Sequence, residues 1–587
     1  MAEPIRIANC SGFFGDRLSA AREMVEDGPI DVLTGDWLAE LTMLILARKR
    51  AKRPSGGYAQ TFVRQMEDVM GTCLDKGIKV VSNAGGLDPD GCADAVAQVA
   101  AKLGLHPKIA YVSGDDLLPT IAERAASGEL RHFETGAKIE DTSAYMTANA
   151  YLGCWGIVEA LHQGADIVIT GRATDAAIVC GPAAWHHGWS RMDYDQLAGA
   201  VTAGHVIECS TQATGGNYSF FHEIPDLIHP GFPWAEVAAD GSSVIGKHAG
   251  TAGEVNTGTV TSQLLYEIGS PAYLGPDVTS RFDTIELEQL GPDRVRMHGI
   301  RGEAPPETLK VCINKAGGFR SDVNICLTGL DIEKKAALIE EAFWAANPYD
   351  PEDYAFVKTR LLRNDRADPD TNEGAVAIWR CSVKDPDEKK VGRPFTNAMI
   401  ELALASIPGF FGVGGGPGPG RPYGVLETAT IPAASVPQAV TLLGMGGSST
   451  EVSSVIPHQQ VTIDPPAGPT ISTPDGATRK APLGLLFGAR SGDKGGNANV
   501  GIFARSDAAW AFLDDFLSTA KLRELLPEAR ELPVDRHRLP ALRSLNFVLH
   551  GFLEEGVAAS TRQDPQAKSL GEWLRARVVE IPESLLP

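Results

Sequence analysis

The sequence has no pair of cysteines at the C-x-x-C spacing that is typical of zinc knuckles and thiol redox sites. Its nine cysteines are an odd number and are scattered between residues 10 and 381, which does not favour a disulfide framework. We therefore expect most of them to be small buried hydrophobic residues in a reducing compartment.

Long apolar runs and a secretion signal are also missing. No run approaches the ~18–20 apolar residues that are needed to cross a bilayer. The N-terminal sequence MAEPIRIANCSGFFGDR has no basic segment followed by an apolar stretch. Lysine and arginine (53) are outnumbered by aspartate and glutamate (74), so the net charge is −21. Because such a surface repels phosphates and anionic lipids, we expect neither nucleic acid nor membrane as a partner, and a cytoplasmic location.

Short apolar strands alternate with helices over the first two hundred residues. The strands are predicted at residues 5–8, 31–34, 78–82, 109–112 and 166–170. Continuous Val/Ile runs are typical of strands that are buried on both faces, and helices between them indicate βαβ units. The sequence therefore predicts an α/β fold with a doubly wound, mostly parallel sheet, whose ligands bind beyond the carboxyl ends of the strands.

The rest of the chain changes character. At 587 residues it exceeds the ~250–300 residues of a single core, so we expect at least two domains. We predict a main domain over residues 1–464, with an α/β part to about 204 and a mixed α+β part from about 205. A Pro/Gly-rich linker is predicted at 465–480 and a small α+β domain at 481–587. The Gly/Pro-rich stretch 409–422 is interpreted as a surface loop or as a lid over a ligand.

Two predicted strands end in glycine-rich polar turns. In the turn Asn83–Gly86, Asn83 and the amides of Gly85 and Gly86 can donate to an anion, although a tight turn without a ligand explains it equally. The turn matches neither dinucleotide nor Walker fingerprints, so we predict neither NAD nor ATP. In GRATD (residues 171–175), Gly171 leaves room for a substrate and Arg172 can bind its carboxylate. Asp175 then takes part in proton transfer; the alternative is a structural Arg–Asp pair.

Three aspartates follow other strands. Asp36, Asp115 and Asp116 can bind a divalent cation such as Mg²⁺ if the strand order brings them together. Taken singly, each is better explained as a helix N-cap.

The densest polar stretch is residues 205–217, where small residues surround Glu208, Cys209 and Gln212. Glu208 is the candidate acid or base, and Gln212 a candidate substrate contact. Cys209 is a candidate nucleophile, but a lone cysteine is more often packing. A second mixed-charge segment, residues 488–497, is predicted to be a loop that binds phosphate or carboxylate through Arg490, Asp493 and Lys494. The alternative is a charged hairpin loop.

Several motifs in order resemble the acyclic terpene utilisation family: residues 9–16, 35–40, 82–86, 169–175, 204–209, 250–267 and 489–495. The last of them resembles the small ferredoxin-like domain of that family. The resemblance implies an enzyme that breaks down branched-chain or terpenoid acyl compounds, acyl-CoAs in particular, by lyase- or hydratase-type acid/base chemistry. It assigns no catalytic residues, so the roles above rest on the residues themselves.

Two alternatives stay open. In the first, the chain is a non-catalytic partner or scaffold of an acyl-CoA carboxylase complex. In the second, it is an enzyme for another small molecule outside terpenoid metabolism. We expect a small acyl or acyl-CoA ligand, a homo-oligomer and association with an acyl-CoA carboxylase. The sequence leaves open whether a divalent cation takes part.

Overall fold

The computed structural model describes residues 3–53, 56–413, 418–444, 448–459, 461–468, 471–474 and 476–587. Parts of two predicted segments fall outside this range: residues 414–417 of the Gly/Pro-rich stretch, and 469, 470 and 475 of the linker. No helix among the described residues combines the length and apolar character that crossing a membrane requires.

The strands and helices are numbered in chain order. The strands are β1 (Ile5–Asn9), β2 (Val32–Gly35), β3 (Lys79–Ser82), β4 (Ile109–Ser113), β5 (Arg131–His132), β6 (Tyr145–Ala150), β7 (Ile167–Thr170), β8 (Pro233–Val237), β9 (Ser243–Lys247), β10 (Ala272–Leu274), β11 (Thr279–Arg281), β12 (Glu286–Gly291), β13 (Arg294–His298), β14 (Arg301–Glu303), β15 (Thr308–Thr328), β16 (Phe356–Leu362), β17 (Val376–Asp385), β18 (Phe411–Gly412), β19 (Arg421–Pro432), β20 (Gln438–Leu442), β21 (Ser449–Val452), β22 (Thr478–Pro482), β23 (Phe487–Lys494), β24 (Asn497–Ala504), β25 (Val534–Leu539), β26 (Ser544–Leu549) and β27 (Val578–Pro582). The helices are α1 (Ala20–Glu26), α2 (Glu40–Arg50), α3 (Gln60–Lys76), α4 (Pro89–Leu103), α5 (Ile121–Ser127), α6 (Trp155–His162), α7 (Ala177–His187), α8 (Tyr194–Ile207), α9 (Thr257–Leu264), α10 (Ile332–Ala346), α11 (Glu388–Val391), α12 (Arg393–Glu401), α13 (Asp507–Phe516), α14 (Thr519–Leu525) and α15 (Leu570–Arg575).

The chain forms two compact units. The first comprises Met1–Asn314, Leu426–Val557 and Gln566–Pro587, and the second comprises Lys315–Val425 and Ala558–Pro565. Most of the region 481–587 therefore shares a unit with the α/β part.

An eleven-stranded sheet lies at the centre of the first unit, in the order β12-β13-β9-β8-β1-β2-β3-β7-β4-β20-β21. The five strands predicted from the sequence are its parallel middle, β1-β2-β3-β7-β4. Neighbouring residues of these strands point to opposite faces, so Ile7 joins one buried cluster and Ala8 the other. Helices α1, α3 and α4 cover one face, and α6, α7 and α8 cover the other.

The prediction of a mostly parallel, doubly wound sheet is not confirmed, because both flanks of this sheet are antiparallel. The flanking strands come from residues 233–298 and 438–452, for which the sequence predicts a separate α+β part. The hairpin β8–β9 has five connecting residues (238–242), and the hairpin β12–β13 has two. Such short connections join only antiparallel strands, since a parallel pair needs a crossover of a dozen or more residues.

The second unit has its own core. The antiparallel strands β16, β17 and β15 carry it, with α10 and α12 packed around Phe343, Trp379 and Phe395. Residues 332–346 have the apolar spacing of an amphipathic helix, and α10 has these bounds.

The C-terminal part of the first unit contains a four-stranded antiparallel sheet in the order β23-β24-β26-β25, with α13, α14 and α15. Residues 490–494, which were predicted to lie in a loop, are instead part of β23, and only Gly495 and Gly496 form the turn to β24. One face of β23 lines a charged site and not an apolar core, so its sequence is polar. The apolar pattern that predicts a strand is therefore missing from these residues.

Candidate functional site

The carboxyl ends of the parallel strands bring polar residues to one edge of the sheet, as their alternation with helices predicted. Asp36 follows β2 and Asn83 follows β3. The Asn83 amide donates from Nδ2 to Asp36 Oδ1 at 2.5 Å and accepts from the backbone N–H of Trp37 at 2.8 Å. Burial and the nearby Asp175 and Glu208 raise the pKa of Asp36 well above its usual range. The protonated acid is therefore favoured.

Gly85, Gly86 and Gly171 lie against the protein's own atoms. A Cβ on Gly85 would lie 2.5 Å from the Thr170 carbonyl oxygen, and one on Gly171 would lie 2.2 Å from Asp115 Oδ1. Gly86 has φ +55°, in the left-handed region. Tight packing thus accounts for these three glycines, and their contact with a substrate stays a prediction.

Arg172 is almost completely buried, with 2% of its surface exposed. Its Nη1 donates to Asp175 Oδ1 at 2.5 Å and to the Ala173 carbonyl at 2.9 Å, and its guanidinium carbon lies 4.1 Å from the centre of the Tyr151 ring. Within the described ranges, the buried Nε of Arg172 has no hydrogen-bond partner. The guanidinium therefore keeps one donor for a further acceptor.

Glu40, at the start of α2, joins this network although the sequence analysis missed it. The Tyr151 hydroxyl donates to Glu40 Oε1 at 2.7 Å, and the Lys310 Nζ lies 3.2 Å from the same oxygen. Burial raises the pKa of Glu40, but the charges of Lys310 and Arg172 outweigh it and hold this pKa well below its usual range. Glu40 is thus a carboxylate.

Glu208 lies at the C-terminal end of α8, one turn after His205. The His205 Nε2 is 3.1 Å from the Gln263 carbonyl oxygen, which can only accept, so Nε2 carries the hydrogen. Burial, with the charge of Lys494, lowers the pKa of His205 to about 4, so the ring is neutral and its Nδ1 is an acceptor. This Nδ1 lies 3.4 Å from Glu208 Oε1.

The carboxyl group of Glu208 is buried and incompletely bonded. Burial and the Asp175 charge raise its pKa well above the usual range, against the opposing charges of Lys494 and Arg172. No donor or acceptor in the described part of the chain meets its buried Oε2. Asn9 positions this residue, since its Nδ2 donates to the carbonyls of Ile207 (2.7 Å) and Glu208 (3.2 Å).

Cys209 and Gln212 follow directly. Burial and the nearby Glu208 raise the pKa of the Cys209 thiol well above its usual range, which disfavours the thiolate that a nucleophile needs. The Gln212 Oε1 accepts from Arg490 Nη2, so this side chain contacts the C-terminal sheet.

Strand β23 presents Arg490, Gly492 and Lys494 on the face turned toward Tyr266 and Glu267. The Lys494 Nζ donates to the Glu267 carbonyl at 2.8 Å and lies 5.6 Å from the centre of the Tyr273 ring. Burial and the charge of Lys310 lower the pKa of Lys494. The predicted Arg490–Gly495 segment therefore joins the residues of the sheet edge.

Asp493 lies near the same residues, and its carboxylate is 3.8 Å from the Lys568 Nζ. Burial and the charge of Glu40 raise the pKa of Asp493 to about 7. Lys568 also pairs with Glu267 Oε1 at 2.8 Å and donates to the Tyr266 hydroxyl. Burial lowers the pKa of Lys568 to about 8.

We call the titratable residues that act on one another here the charged cluster: Asp36, Glu40, Arg172, Asp175, His205, Glu208, Glu267, Lys310, Lys494 and Lys568. All of them belong to the first unit. Sequence reasoning missed five of them: Glu40, His205, Glu267, Lys310 and Lys568. The first three lie within the motifs at 35–40, 204–209 and 250–267, and these motifs were a signal that could have found them; Lys310 and Lys568 had none.

The three aspartates considered for a cation do not form a common site. Asp115 accepts from the backbone N–H of Arg172 at 2.9 Å and from Asn149 at 2.8 Å, and Asp116 accepts from the backbone N–H of Leu118. Asp36 instead pairs with Asn83. Among the residues that the structure describes, no group of three or more His, Cys, Asp or Glu side chains is arranged to hold a metal ion.

Comparison with known proteins identifies the family of this chain. The family model described as acyclic terpene utilisation family protein AtuA matches residues 5–442, and the AtuA ferredoxin-like domain matches residues 481–580. No curated protein and no solved structure matches the chain. The second match identifies the C-terminal four-stranded sheet and its helices as a ferredoxin-like domain. The chain belongs to the acyclic terpene utilisation family.

Proposed function

We propose that this protein is an enzyme that acts on a branched-chain or terpenoid acyl compound, an acyl-CoA, by lyase- or hydratase-type acid/base chemistry. Family membership supports a role in acyclic terpene breakdown. The observation that carries the chemistry is the Glu208 carboxyl group, buried beside the neutral His205, with Oε2 unbonded among the described residues.

Two neighbouring carboxyl groups lie in different environments, which is how a site obtains separate acid and base groups. Burial favours the protonated acid at Glu208, so this residue is the proton donor. Asp175 forms an ion pair with Arg172 and is one-third exposed, so we assign it as the base. The charge of Asp175 is a principal cause of the raised pKa of Glu208, so the two groups are electrostatic neighbours.

The proposed hydration adds water across the C2=C3 bond of a 2-enoyl-CoA. Asp175 takes a proton from water, the water oxygen bonds to C3, the C2=C3 electron pair moves to C2, and Glu208 gives its proton to C2. In the lyase reaction, Asp175 takes the 3-hydroxyl proton, the C2–C3 bond breaks and C2 takes the proton from Glu208. Arg172 stabilises the negative charge that develops on the thioester oxygen. Proton exchange with water then restores both carboxyl groups.

The test is turnover of a panel of branched 2-enoyl-CoAs and 3-hydroxyacyl-CoAs, followed by mass spectrometry of the products. The isosteric change Glu208→Gln should lower kcat by about 10²–10⁴-fold, the usual contribution of general acid catalysis. A matched control is Glu236→Gln, since Glu236 pairs with Arg6 and Arg294 away from the charged cluster. Full turnover in Glu208→Gln would show that this residue is not the acid.

Absence of turnover with every compound, combined with co-purification of carboxylase subunits, would favour the scaffold alternative. Homo-oligomerisation, association with a carboxylase and a need for a divalent cation stay predictions.

A further inference from the structure

Two lysines of the charged cluster come from distant parts of the chain. Lys310 lies near the start of β15, and Lys494 is the last residue of β23 in the ferredoxin-like domain. Each ammonium group lies near an aromatic ring: the Lys310 Nζ is 4.7 Å from the centre of the Tyr151 ring, and the Lys494 Nζ is 5.6 Å from that of Tyr273.

The two lysines differ in their partners. Lys310 has an ion pair with Glu40, and the neighbouring Arg172 has one with Asp175. Lys494 donates to the Glu267 carbonyl, and in the described part of the chain no carboxylate oxygen lies within 4.0 Å of its Nζ. An ammonium group has three donors, so Lys494 keeps donors for another acceptor.

The surrounding carboxyl groups compensate this charge only in part: Glu40 and Asp175 raise the pKa of Lys494, but burial and the charge of Lys310 outweigh them. Burial raises the pKa of Asp36, Glu208 and Glu267, which favours their neutral forms. The charge of Lys310 also acts on Lys494 and lowers its pKa, so the two ammonium groups repel each other. A cation held away from bulk water is costly unless an anion pairs with it.

We propose that Lys494 and Lys310 together bind an anionic oxygen group of the ligand, a carboxylate or a phosphate, so that the ferredoxin-like domain supplies part of the substrate site. The assignment rests on the proposed function in treating the charged cluster as the substrate site. It adds a requirement on the ligand: besides the acyl carbon that reacts, the ligand carries a negative charge that reaches between these lysines.

Two sources of such a group are distinguishable by their chemistry. A second carboxylate on a branched acyl chain is one, and the phosphates of coenzyme A are the other. Either would form charge-assisted hydrogen bonds with the ammonium groups, which are about twice as strong as neutral ones.

The test measures binding by calorimetry at low salt, apart from turnover. The probes are 3-methylbutanoate, its neutral analogue 3-methylbutanamide, inorganic phosphate and coenzyme A. We expect at least one anion to bind and the amide not to bind. Lys494→Met and Lys310→Met should each weaken the anion about tenfold or more, the loss expected for one charge-assisted hydrogen bond.

Controls separate charge from folding. Lys102→Met removes an exposed lysine that pairs with Glu67 on the surface, and it should bind like the unchanged protein. Lys494→Arg keeps the charge and should retain most of the affinity, whereas Lys494→Gln should not. If Lys494→Met fails to fold, as circular dichroism would show, the Arg and Gln variants provide the comparison.

Binding of 3-methylbutanoate alone identifies a carboxylate site, and binding of phosphate or coenzyme A alone identifies a phosphate site. The inference is overturned if no anion binds, if the amide binds as tightly as the acid, or if neither lysine change weakens binding. Glu208→Gln should leave anion binding intact. Full turnover in Glu208→Gln, with binding lost in the lysine variants, would reject the proposed chemistry and leave this site standing.

Discussion

The carboxylate of Asp115 accepts a hydrogen bond from the backbone N–H of Arg172 at 2.9 Å, and this bond joins the ends of the neighbouring strands β4 and β7. It holds the backbone from which the Arg172 side chain reaches Asp175 and Tyr151. Asp115 therefore positions Arg172.

The burial of Asp115 predicts a pH dependence of stability. Burial raises the pKa of Asp115 from 3.8 to about 6. A raised pKa means that the folded protein binds this proton more tightly than the unfolded chain, so the stabilisation is complete below pH 3.8 and is lost as the pH rises toward about 6. At 1.36 kcal/mol per pKa unit, the change is roughly 3 kcal/mol.

The change Asp115→Asn removes this titration. Relative to Asp115→Asn, the unchanged protein should lose most of this roughly 3 kcal/mol of unfolding free energy between pH 4 and pH 7, measured by urea unfolding at both values. A constant difference between the two proteins across this range would contradict the prediction.

The lowered pKa of His205 predicts that stability changes with pH in the opposite direction. Burial lowers its pKa from 6.5 to about 4, so the folded protein disfavours the charged ring. The stabilisation is complete above pH 6.5 and is lost as the pH falls toward about 4. Compared with His205→Gln, whose amide can still donate to the Gln263 carbonyl, the unchanged protein should lose roughly 3 kcal/mol over this range. NMR titration of the ring gives an independent check, and a His205 pKa near 6.5 would refute the prediction.

Gly12 should not tolerate a side chain. A Cβ there would lie 2.3 Å from the backbone nitrogen of Ser210 and 2.6 Å from the carbonyl carbon of Cys209. Gly12→Ala should therefore push away the segment that carries Glu208, and it should cost about 1–3 kcal/mol, as overpacking does. The proposed activity should fall with it.

A matched control lies in α3, where the nearest atom of the described residues to a Cβ on Gly71 would be Leu105 Cδ1 at 3.9 Å. Gly71→Ala should stabilise the protein by up to about 1 kcal/mol, because alanine favours helix. Thermal unfolding of the two variants should thus shift in opposite directions. Equal shifts would mean that Gly12 is not packed as described.

Asn499 links the ferredoxin-like domain to the residue that anchors Lys494. It is fully buried, donates to the Leu265 carbonyl at 2.8 Å and accepts from the backbone N–H of Glu267 at 3.0 Å. Asn499→Ala leaves both backbone groups unpaired, and it should lower the unfolding free energy by about 2–4 kcal/mol. Because the Glu267 carbonyl holds Lys494, anion binding should weaken in the same variant. Exposed Asn372, whose side chain caps no helix, serves as the control.

The sequence alone determined the parallel middle of the large sheet and the turns that follow its strands. Runs such as IKVVS and DIVIT specify buried strands locally, and alternation with helices sends their carboxyl ends to one edge. This reasoning was enough to select Asp36, Asn83, Arg172, Asp175 and Glu208, which the structure gathers at that edge. It also led to the family, through motifs that lie mostly in these turns.

Tertiary structure decided the rest. The antiparallel flanks of the sheet depend on pairings between strands that are distant in the chain, such as β1 with β8, and no local pattern encodes such a partner. Lys310 and Lys568 join the charged cluster only because β15 and the ferredoxin-like domain pack beside the strand ends. Which groups are protonated depends in turn on burial and on these distant charges. Burial and the proximity of distant charges arise only when the chain folds. The sequence therefore predicted the types of residue in the site, but it could not predict which of them are ionised.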